Sequence, residues 1–289
     1  MESKIIIGTA RNGHVRFYLG DTKKLCEDAR LAHDLWPTSL AALGRTMSVT
    51  ACMGLMLKGE HESVTTTING GGALGTCLVT ADNEGHVKGF VGDPHLYLKY
   101  NSNNKLAVGL VVGTNGYLKV LKNLKLKQSY TSQVALQSGE IGDDFAYFFS
   151  VSEQIPSVIS VGVLVDTDYS CKSAGILLLE LLPGHNESDI VALENILKDL
   201  KPISSVLAEN NDLYAYIKTL LPDSTVLEEK EVSYYCDCSR ERFLEKFMAL
   251  PQEELLDLSK EEKIEVRCEF CNKTYEFAPK EILSLIKHV

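Results

Sequence analysis

Cys236-Asp237-Cys238 and Cys268-Glu269-Phe270-Cys271 are the stretches that decide how the C-terminal part of this chain folds. Four thiolates in two close pairs match a closed tetrahedral Zn²⁺ site, with no open position for a substrate. After the second pair, Thr274, Tyr275 and Phe277 alternate in a way that predicts the return strand of a hairpin, with the pair on its turn. The first pair has one intervening residue, which puts both sulfurs on the same side of an extended backbone, close enough to share a metal or to oxidise to each other. The predicted zinc ligands are Cys236, Cys238, Cys268 and Cys271.

These residues alone leave three interpretations of the cysteines open: a permanent structural zinc, a redox switch, and a disulfide oxidoreductase. An oxidoreductase is disfavoured, because its Cys-x-x-Cys lies near the start of a βαβ unit, whereas this one follows a charged strand near the end of the chain. Basic side chains close in sequence can offset the charge of four thiolates and keep the sulfurs ionised and oxidisable. They are Arg240, Arg242, Arg267 and Lys273.

The composition describes a globular protein with room for one large or two modest domains: 289 residues, 45% of them hydrophobic. A formal net charge of −10 opposes nucleic-acid binding, which needs a basic surface. We find no signal peptide and no apolar run near the ~18 residues of a membrane span, so we expect a cytoplasmic location without membrane attachment. In a reducing compartment the scattered cysteines are predicted to be core residues. They are Cys26, Cys52, Cys77 and Cys171.

The first part of the chain, residues 1–183, is predicted to be an α+β domain with an antiparallel sheet and helices. Asn12-Gly13 favours a hairpin turn between two opening strands, and two helices follow, the second from Leu40 to Lys58. Five short β-rich runs then lie between Val64 and Val112, the last of them at Leu106–Val112. Two more apolar β runs end near Pro183.

Residues 184–225 are predicted to be a helical linker. Asn186 and Ser188 can cap one amphipathic helix, and a second helical stretch follows Pro202 and runs to about Leu221. The apolar stripes are large enough to dock on a larger domain but too small for either helix to fold alone. We therefore expect a docked connector that is released easily.

Residues 226–289 are predicted to form a small zinc domain that opens with an acidic strand over residues 226–235. A segment of this size rarely supplies a stable core by itself, and metal binding worth on the order of 10 kcal/mol would be most of its folding free energy. Removal of zinc is therefore expected to unfold it.

Two other stretches are candidate sites. The glycine-rich loop Asn69–Gly75 lacks the Gly-Lys-Ser/Thr ending of a phosphate-binding loop and precedes a strand, so it is interpreted as a turn. Asp143-Asp144 could serve acid–base or metal chemistry, but the position suits the N-terminus of a helix, and capping is favoured. Without Gly-x-Ser-x-Gly or His-Glu-x-x-His, we expect no catalytic activity.

Long ungapped blocks make the chain similar to a known family, the redox-regulated holdase chaperones called heat shock protein 33. The cysteine blocks are Cys236-Asp237-Cys238-Ser239-Arg240-Glu241-Arg242-Phe243 and Cys268-Glu269-Phe270-Cys271. The other blocks are Trp36-Pro37-Thr38, Ala41–Met47, Met53–Gly59, Gly70-Gly71-Gly72, Val112–Gly116, Ser138–Phe145 and Ser152-Glu153-Gln154. The resemblance covers nearly the whole length of the chain. It favours the interpretation of the cysteines as a redox switch over that of a permanent structural zinc.

The resemblance implies one Zn²⁺ per chain, held by Cys236, Cys238, Cys268 and Cys271 in a reduced, inactive form. It also implies that oxidation pairs Cys236 with Cys238 and Cys268 with Cys271, releases zinc, and unfolds the tail and linker. It further implies that exposed apolar surface then holds unfolding client proteins without ATP, commonly in a homodimer. The alternative is a constitutive structural-zinc adaptor that recognises a macromolecular partner.

Overall fold

The computed structural model describes residues 2–100, 102 and 105–286 of the chain, which divides into two compact units, Met1–Tyr235 and Cys236–Val289. The division falls directly before Cys236, the first of the four predicted zinc ligands. The sequence placed the start of the C-terminal domain at residue 226 instead. The strand after that point pairs within the first unit, which moves the boundary of the compact unit to Cys236.

The first unit confirms the predicted α+β class. Its strands are β1 (Ser3–Ala10), β2 (Val15–Asp21), β3 (Ser63–Asn69), β4 (Cys77–Asp82), β5 (His86–Val91), β6 (Tyr117–Asn123), β7 (Tyr130–Ala135), β8 (Ser157–Val165), β9 (Cys171–Leu181) and β10 (Thr225–Tyr234). Its helices are α1 (Lys23–His33), α2 (Pro37–Leu55), α3 (Val108–Val112), α4 (Gly142–Phe148), α5 (Glu187–Asp199), α6 (Ile203–Glu209) and α7 (Leu213–Leu220). Among the described residues, none of the helices is both long and apolar enough to span a membrane.

The strands form one ten-stranded sheet in the order β7-β6-β3-β4-β5-β10-β1-β2-β9-β8. Neighbours pair antiparallel except β5 and β10, which pair parallel through Ser233 with His86 and Tyr234 with Val87. β10 pairs antiparallel with β1 on its other side. A strand from the end of the unit therefore joins the two halves of the sheet.

The sheet buries apolar side chains on both faces around β1, β2 and β9. Ile5 and Tyr18 belong to one core cluster and their neighbours Ile6 and Phe17 to the other, as expected when successive side chains point to opposite faces. In β9 the residues from Ser173 to Leu181 are all buried, which explains its continuous apolar run.

Helix α2 lies in the centre of the first cluster, and 17 of its 19 residues are buried. A helix this buried must satisfy its polar side chains internally. Thr46, Ser48 and Thr50 do so by donating hydroxyl hydrogen bonds to the carbonyls four residues earlier, at 2.8–2.9 Å. The four scattered cysteines are buried in the same cluster, as predicted.

The other face of the sheet is covered by α5, α6 and α7. Their apolar residues Leu193, Ile203, Leu207, Leu213 and Ile217 share a cluster with the strands. The sequence predicted one helix after Pro202, whereas the structure has two. The extended residues Asn210 and Asp212 separate them, and the Asp212 carboxylate caps α7 by accepting from Ala215 N at 3.0 Å.

The prediction of a strand at Leu106–Val112 was wrong. Leu106 makes one isolated bridge to Lys99, and Val108–Val112 form α3. Valine favours strands, but Val108, Val111 and Val112 are all buried in the main cluster, so tertiary packing overrides the local preference.

Asp144 and the glycine-rich loop have structural roles. The buried Asp144 carboxylate accepts backbone N–H groups from Gln137, Ser138, Gly139 and Ile141 at 2.7–3.3 Å. In the glycine-rich loop, Gly72 N donates to Val112 O at 3.0 Å, and a Cβ on Gly70 would meet Gly113 O at 2.1 Å. The loop needs glycine because another backbone crosses it closely.

The second unit consists of α8 (Arg240–Phe247), α9 (Gln252–Leu258), the hairpin β11 (Ile264–Arg267) and β12 (Thr274–Phe277), and α10 (Pro279–Ile286). Among the residues that the structure describes, its core cluster has five buried members, Phe247, Leu255, Ile264, Phe277 and Ile282. A core of this size supplies little stability without a further crosslink.

Candidate metal centre

The second cysteine pair lies on the turn of the β11–β12 hairpin, as its position before an alternating strand predicted. Cys268 N donates to Lys273 O at 2.9 Å, and the N–H groups of Cys271 and Asn272 both point to Cys268 O, at 3.3 and 2.7 Å. Asn272 has a φ of 59°, a left-handed conformation that asparagine tolerates better than most residues. The turn therefore brings the sulfurs of Cys268 and Cys271 to the same side.

The first pair lies in the irregular segment between β10 and α8. Ser239 ends this segment by accepting a hydrogen bond from Arg242 N at 3.3 Å, which caps α8. The Arg242 guanidinium turns back to Asp237, donating to its carbonyl at 3.0 Å and forming an ion pair with its carboxylate. The residue between the two cysteines is thus tied to the helix that follows them.

All four sulfurs converge, lying within 4.8 Å of one another. Two of the contacts join one pair to the other: Cys236 Sγ to Cys268 Sγ is 3.8 Å and Cys238 Sγ to Cys271 Sγ is 3.3 Å. Four sulfurs at about 2.3 Å from a central zinc would lie about 3.8 Å apart, so both the donor set and its spacing fit a closed tetrahedral site. The four cysteines can hold a metal ion.

The sulfurs differ in their surroundings. Burial raises the pKa of the Cys236 thiol to about 11 and also raises that of Cys271. Burial acts in the same direction on Cys238, but hydrogen bonds from Tyr275 and Cys271 outweigh it, so the Cys238 pKa lies below its ordinary value. Cys238 is therefore the sulfur whose protein surroundings favour the thiolate.

Three of the four basic residues expected near the sulfurs are bound to other groups. Arg240 Nη2 lies 2.7 and 2.6 Å from the two carboxylate oxygens of Glu281, Arg242 pairs with Asp237, and Arg267 Nε donates to Asn272 Oδ1 at 3.0 Å. The positive charges of Arg240 and Arg242 are shared with carboxylates, whereas Arg267 donates to an amide oxygen. These side chains also connect the cysteine loops to α10 and to the hairpin.

Tyr275 contacts the site, although the sequence interpretation gave it no role there. Its hydroxyl lies 3.2 Å from Cys238 Sγ and 2.9 Å from Cys238 O. The alternation of residues 274–277 predicted the strand that carries Tyr275, but no sequence signal shows which cysteine its side chain reaches. Only the packing of the first pair against β12 reveals it.

Comparisons with known proteins give one consistent result over the whole chain. The family model described as Hsp33 protein matches residues 3–278. A 33 kDa chaperonin of Geobacillus kaustophilus is 42% identical, covering 99% of this chain and 98% of the relative, and one of Alkaliphilus metalliredigens is 39% identical with 99% of each covered. The crystal structure of a 33 kDa chaperonin from Thermotoga maritima, a heat shock protein 33 homologue, superposes with a TM-score of 0.92 at 34% identity, covering 100% of this chain and 99% of that one.

Proposed function

We propose that this chain, which belongs to the Hsp33 family, is a holdase chaperone that oxidants switch on. A chaperone function is supported by the name that its relatives carry, 33 kDa chaperonin. The switch is supported by one observation above all: four cysteine sulfurs converge within 4.8 Å in a unit with a small apolar core. The proposed activity is binding, without catalysis.

In the reduced form, Cys236, Cys238, Cys268 and Cys271 are the proposed ligands of one Zn²⁺. A bound zinc ion would supply a crosslink between the two cysteine loops and keep the sulfurs ionised. The side chains around them set the remaining geometry: Ser239 caps α8, and Arg240 joins it to α10 through Glu281. The order of this unit thus depends on the four thiolates.

The proposed activating step is oxidation by a peroxide. A thiolate attacks one oxygen of hydrogen peroxide, an S–O bond forms as the O–O bond breaks, and hydroxide leaves. The neighbouring thiolate then attacks the sulfenic sulfur, an S–S bond forms, and a second hydroxide leaves. Two thiolates and one peroxide therefore give one disulfide and two hydroxides. From the family resemblance we assign the disulfides to Cys236–Cys238 and Cys268–Cys271.

Loss of the thiolates removes the metal ligands, and the C-terminal unit is proposed to unfold. We assign residues 184–225 as the linker, and we propose that it is released once the C-terminal unit has unfolded. Its helices bury Phe17, Leu177 and Leu179 on one face of the sheet, so release of the linker would expose this apolar surface and the stripes of the helices themselves. Exposed apolar area of this kind binds the exposed apolar segments of unfolding proteins.

The remaining parts of the proposal concern partners and location. The partners are unfolding client proteins, and the active form is a homodimer built on the N-terminal domain. The work is done in the cytoplasm, where thiols stay reduced until oxidant rises. Nucleic acid and membranes have no part in it.

The test compares reduced, zinc-loaded protein with the same protein after peroxide and mild heat, in a light-scattering assay of client aggregation. Zinc release and free thiols are counted in the same samples. We expect the oxidised sample to lose one zinc and four thiols per chain and to suppress aggregation, while the reduced sample does not. Equal protection by both forms, or by neither, contradicts the proposal, and zinc retained after peroxide favours the constitutive adaptor.

A further inference from the structure

Tyr275 connects the two cysteine pairs. It lies in β12, on the hairpin that carries Cys268 and Cys271, and its hydroxyl reaches Cys238 of the other pair. Its ring packs against Phe243 of α8, with ring centroids 5.2 Å apart. The position of the hydroxyl is therefore fixed by both a strand and a ring contact.

The hydroxyl has two acceptors on one residue. It lies 3.2 Å from Cys238 Sγ and 2.9 Å from Cys238 O. An ionised sulfur and a carbonyl oxygen can only accept hydrogen bonds, so in the reduced site the phenol shares its single proton between the two as a bifurcated donor. The contact with the carbonyl holds the backbone of Cys238, and the contact with the sulfur places a positive dipole against its charge.

We propose that Tyr275 is a positioning residue that limits how fast oxidant reacts with Cys238, an inference that rests on the proposed redox function. A hydrogen bond stabilises the thiolate and so reduces its nucleophilicity, because nucleophilicity falls with the basicity of the sulfur. Tyr275 thereby sets the oxidant concentration at which the C-terminal unit is oxidised and unfolds.

The affected step is the first attack on peroxide. The Cys238 thiolate gives an electron pair to one peroxide oxygen, the S–O bond forms, the O–O bond breaks, and hydroxide leaves. Since the sulfur negative charge disappears in this step, a donor that stabilises that charge raises the barrier. Side chains around a metal site also orient its ligands, so we expect the contacts from Tyr275 to hold Cys238 in place for the metal.

The test replaces the hydroxyl alone. Tyr275→Phe keeps the ring that packs on Phe243, and the full-length variant is loaded with zinc and reduced. We expect Cys238 to be oxidised by hydrogen peroxide about 3- to 10-fold faster than in the parent when both start with equal zinc occupancy. Site-resolved alkylation with mass spectrometry measures this rate. Zinc affinity against a competing chelator, measured without oxidant, should fall about 10- to 100-fold.

Three controls isolate the hydroxyl. Tyr214→Phe removes a phenol that donates to Glu229 at 2.8 Å in the other unit and should leave both readings unchanged. The buried Cys26 serves as an unreactive thiol in every sample. Tyr275→Leu removes the ring as well.

An oxidation rate of Cys238 in Tyr275→Phe that equals or falls below that of the parent overturns the inference. Acceleration in Tyr275→Leu alone also overturns it, because the ring and not the hydroxyl would then be responsible. If the parent is oxidised and loses zinc yet protects no client, the chaperone proposal fails while a faster Tyr275→Phe still supports the role of Tyr275.

Discussion

Glu180 is a carboxylic acid buried in the sheet. It lies in β9, where its partners in the sheet register are Arg16 and Ser157, and only 3% of it is exposed. Burial raises its pKa from 4.5 to about 7, with the nearby charge of Arg16 acting in the opposite direction. The folded chain therefore keeps this proton over a pH range in which the unfolded chain has lost it.

The sign of the effect on stability follows from that difference. Between pH 4.5 and 7 the unfolded state binds fewer protons at this site, so the free energy of unfolding falls as pH rises. Glu180→Gln removes the ionisation, and we expect the variant to be more stable than the parent at pH 8, by up to about 3 kcal/mol, and nearly equal at pH 4. Urea denaturation at both pH values measures this.

Glu60, which is exposed, provides the matched control for Glu180. Glu60→Gln should shift the urea midpoint little at either pH. A Glu180→Gln variant that is destabilised at pH 8 would show that the carboxylate has a stabilising partner that outweighs its burial.

Cys268 is the most buried of the four clustered cysteines. Cys268→Ser replaces a thiolate with a hydroxyl that stays protonated, so we expect zinc per chain to fall well below one. The second unit should then become sensitive to protease, because its core alone is small. Zinc analysis and limited proteolysis measure both effects, and Cys171→Ala, outside the cluster, should retain the metal. Full zinc retention in Cys268→Ser would remove this residue from the ligand set.

At the scale of elements, helix α5 is tied to the opening hairpin through one carboxylate. Asp189 is buried, and it accepts from Asn186 N at 3.0 Å, Arg11 Nε at 2.9 Å and His14 Nδ1 at 2.8 Å. The backbone bond from Asn186, followed by Arg11 and His14, lowers its pKa to about 2. This contribution to stability is present above pH 4 and is lost as pH falls towards 2.

Asp189→Ala should loosen the linker without disturbing the sheet. The variant loses the anchor of α5 and part of its N-terminal cap, so amide hydrogen exchange in residues 187–199 should become at least about tenfold faster than in the parent. If the proposed function holds, the same variant protects clients at lower oxidant. Glu194→Gln removes an exposed charge from the same helix and is the control. Unchanged exchange in Asp189→Ala would mean that apolar packing alone holds α5.

Element prediction succeeded where a local signal and the tertiary position agree. The hairpin at Asn12-Gly13 is an example: both residues have positive φ, and β1 pairs with β2 on either side of them. It failed at Val108–Val112, where a valine-rich run became a helix because its three valines fill the core from one turn. It also missed the break at Asn210–Asp212, where Asn210 Oδ1 accepts from Asp212 N at 3.1 Å and the Asp212 carboxylate caps α7. These are local polar signals that the prediction of a single helix overlooked.

At the scale of the whole molecule, the two compact units are expected to lose structure separately. A zinc chelator should remove amide protection from the elements of the second unit, whose described apolar core is small. The ten-stranded sheet of the first unit has large clusters on both faces and should stay protected. Hydrogen exchange with mass spectrometry, before and after chelation and after readdition of zinc, measures this.

The reference for that experiment is the same chain with the chelator already saturated by zinc. Two outcomes contradict the expectation: protection of residues 240–286 that survives chelation, and a loss of protection that extends over β1, β2 and β9. The first would mean that apolar packing suffices for the second unit, and the second would mean that the units unfold together.

The sequence by itself determined the α+β class, the four-cysteine set and the small size of the segment around it, because residue type, spacing and period are local properties of the chain. The tertiary structure decided where β10 pairs, that both faces of β9 are buried, and that the Tyr275 hydroxyl reaches Cys238. These depend on which distant segments meet, and a contact between residues 37 positions apart leaves no trace in either segment alone.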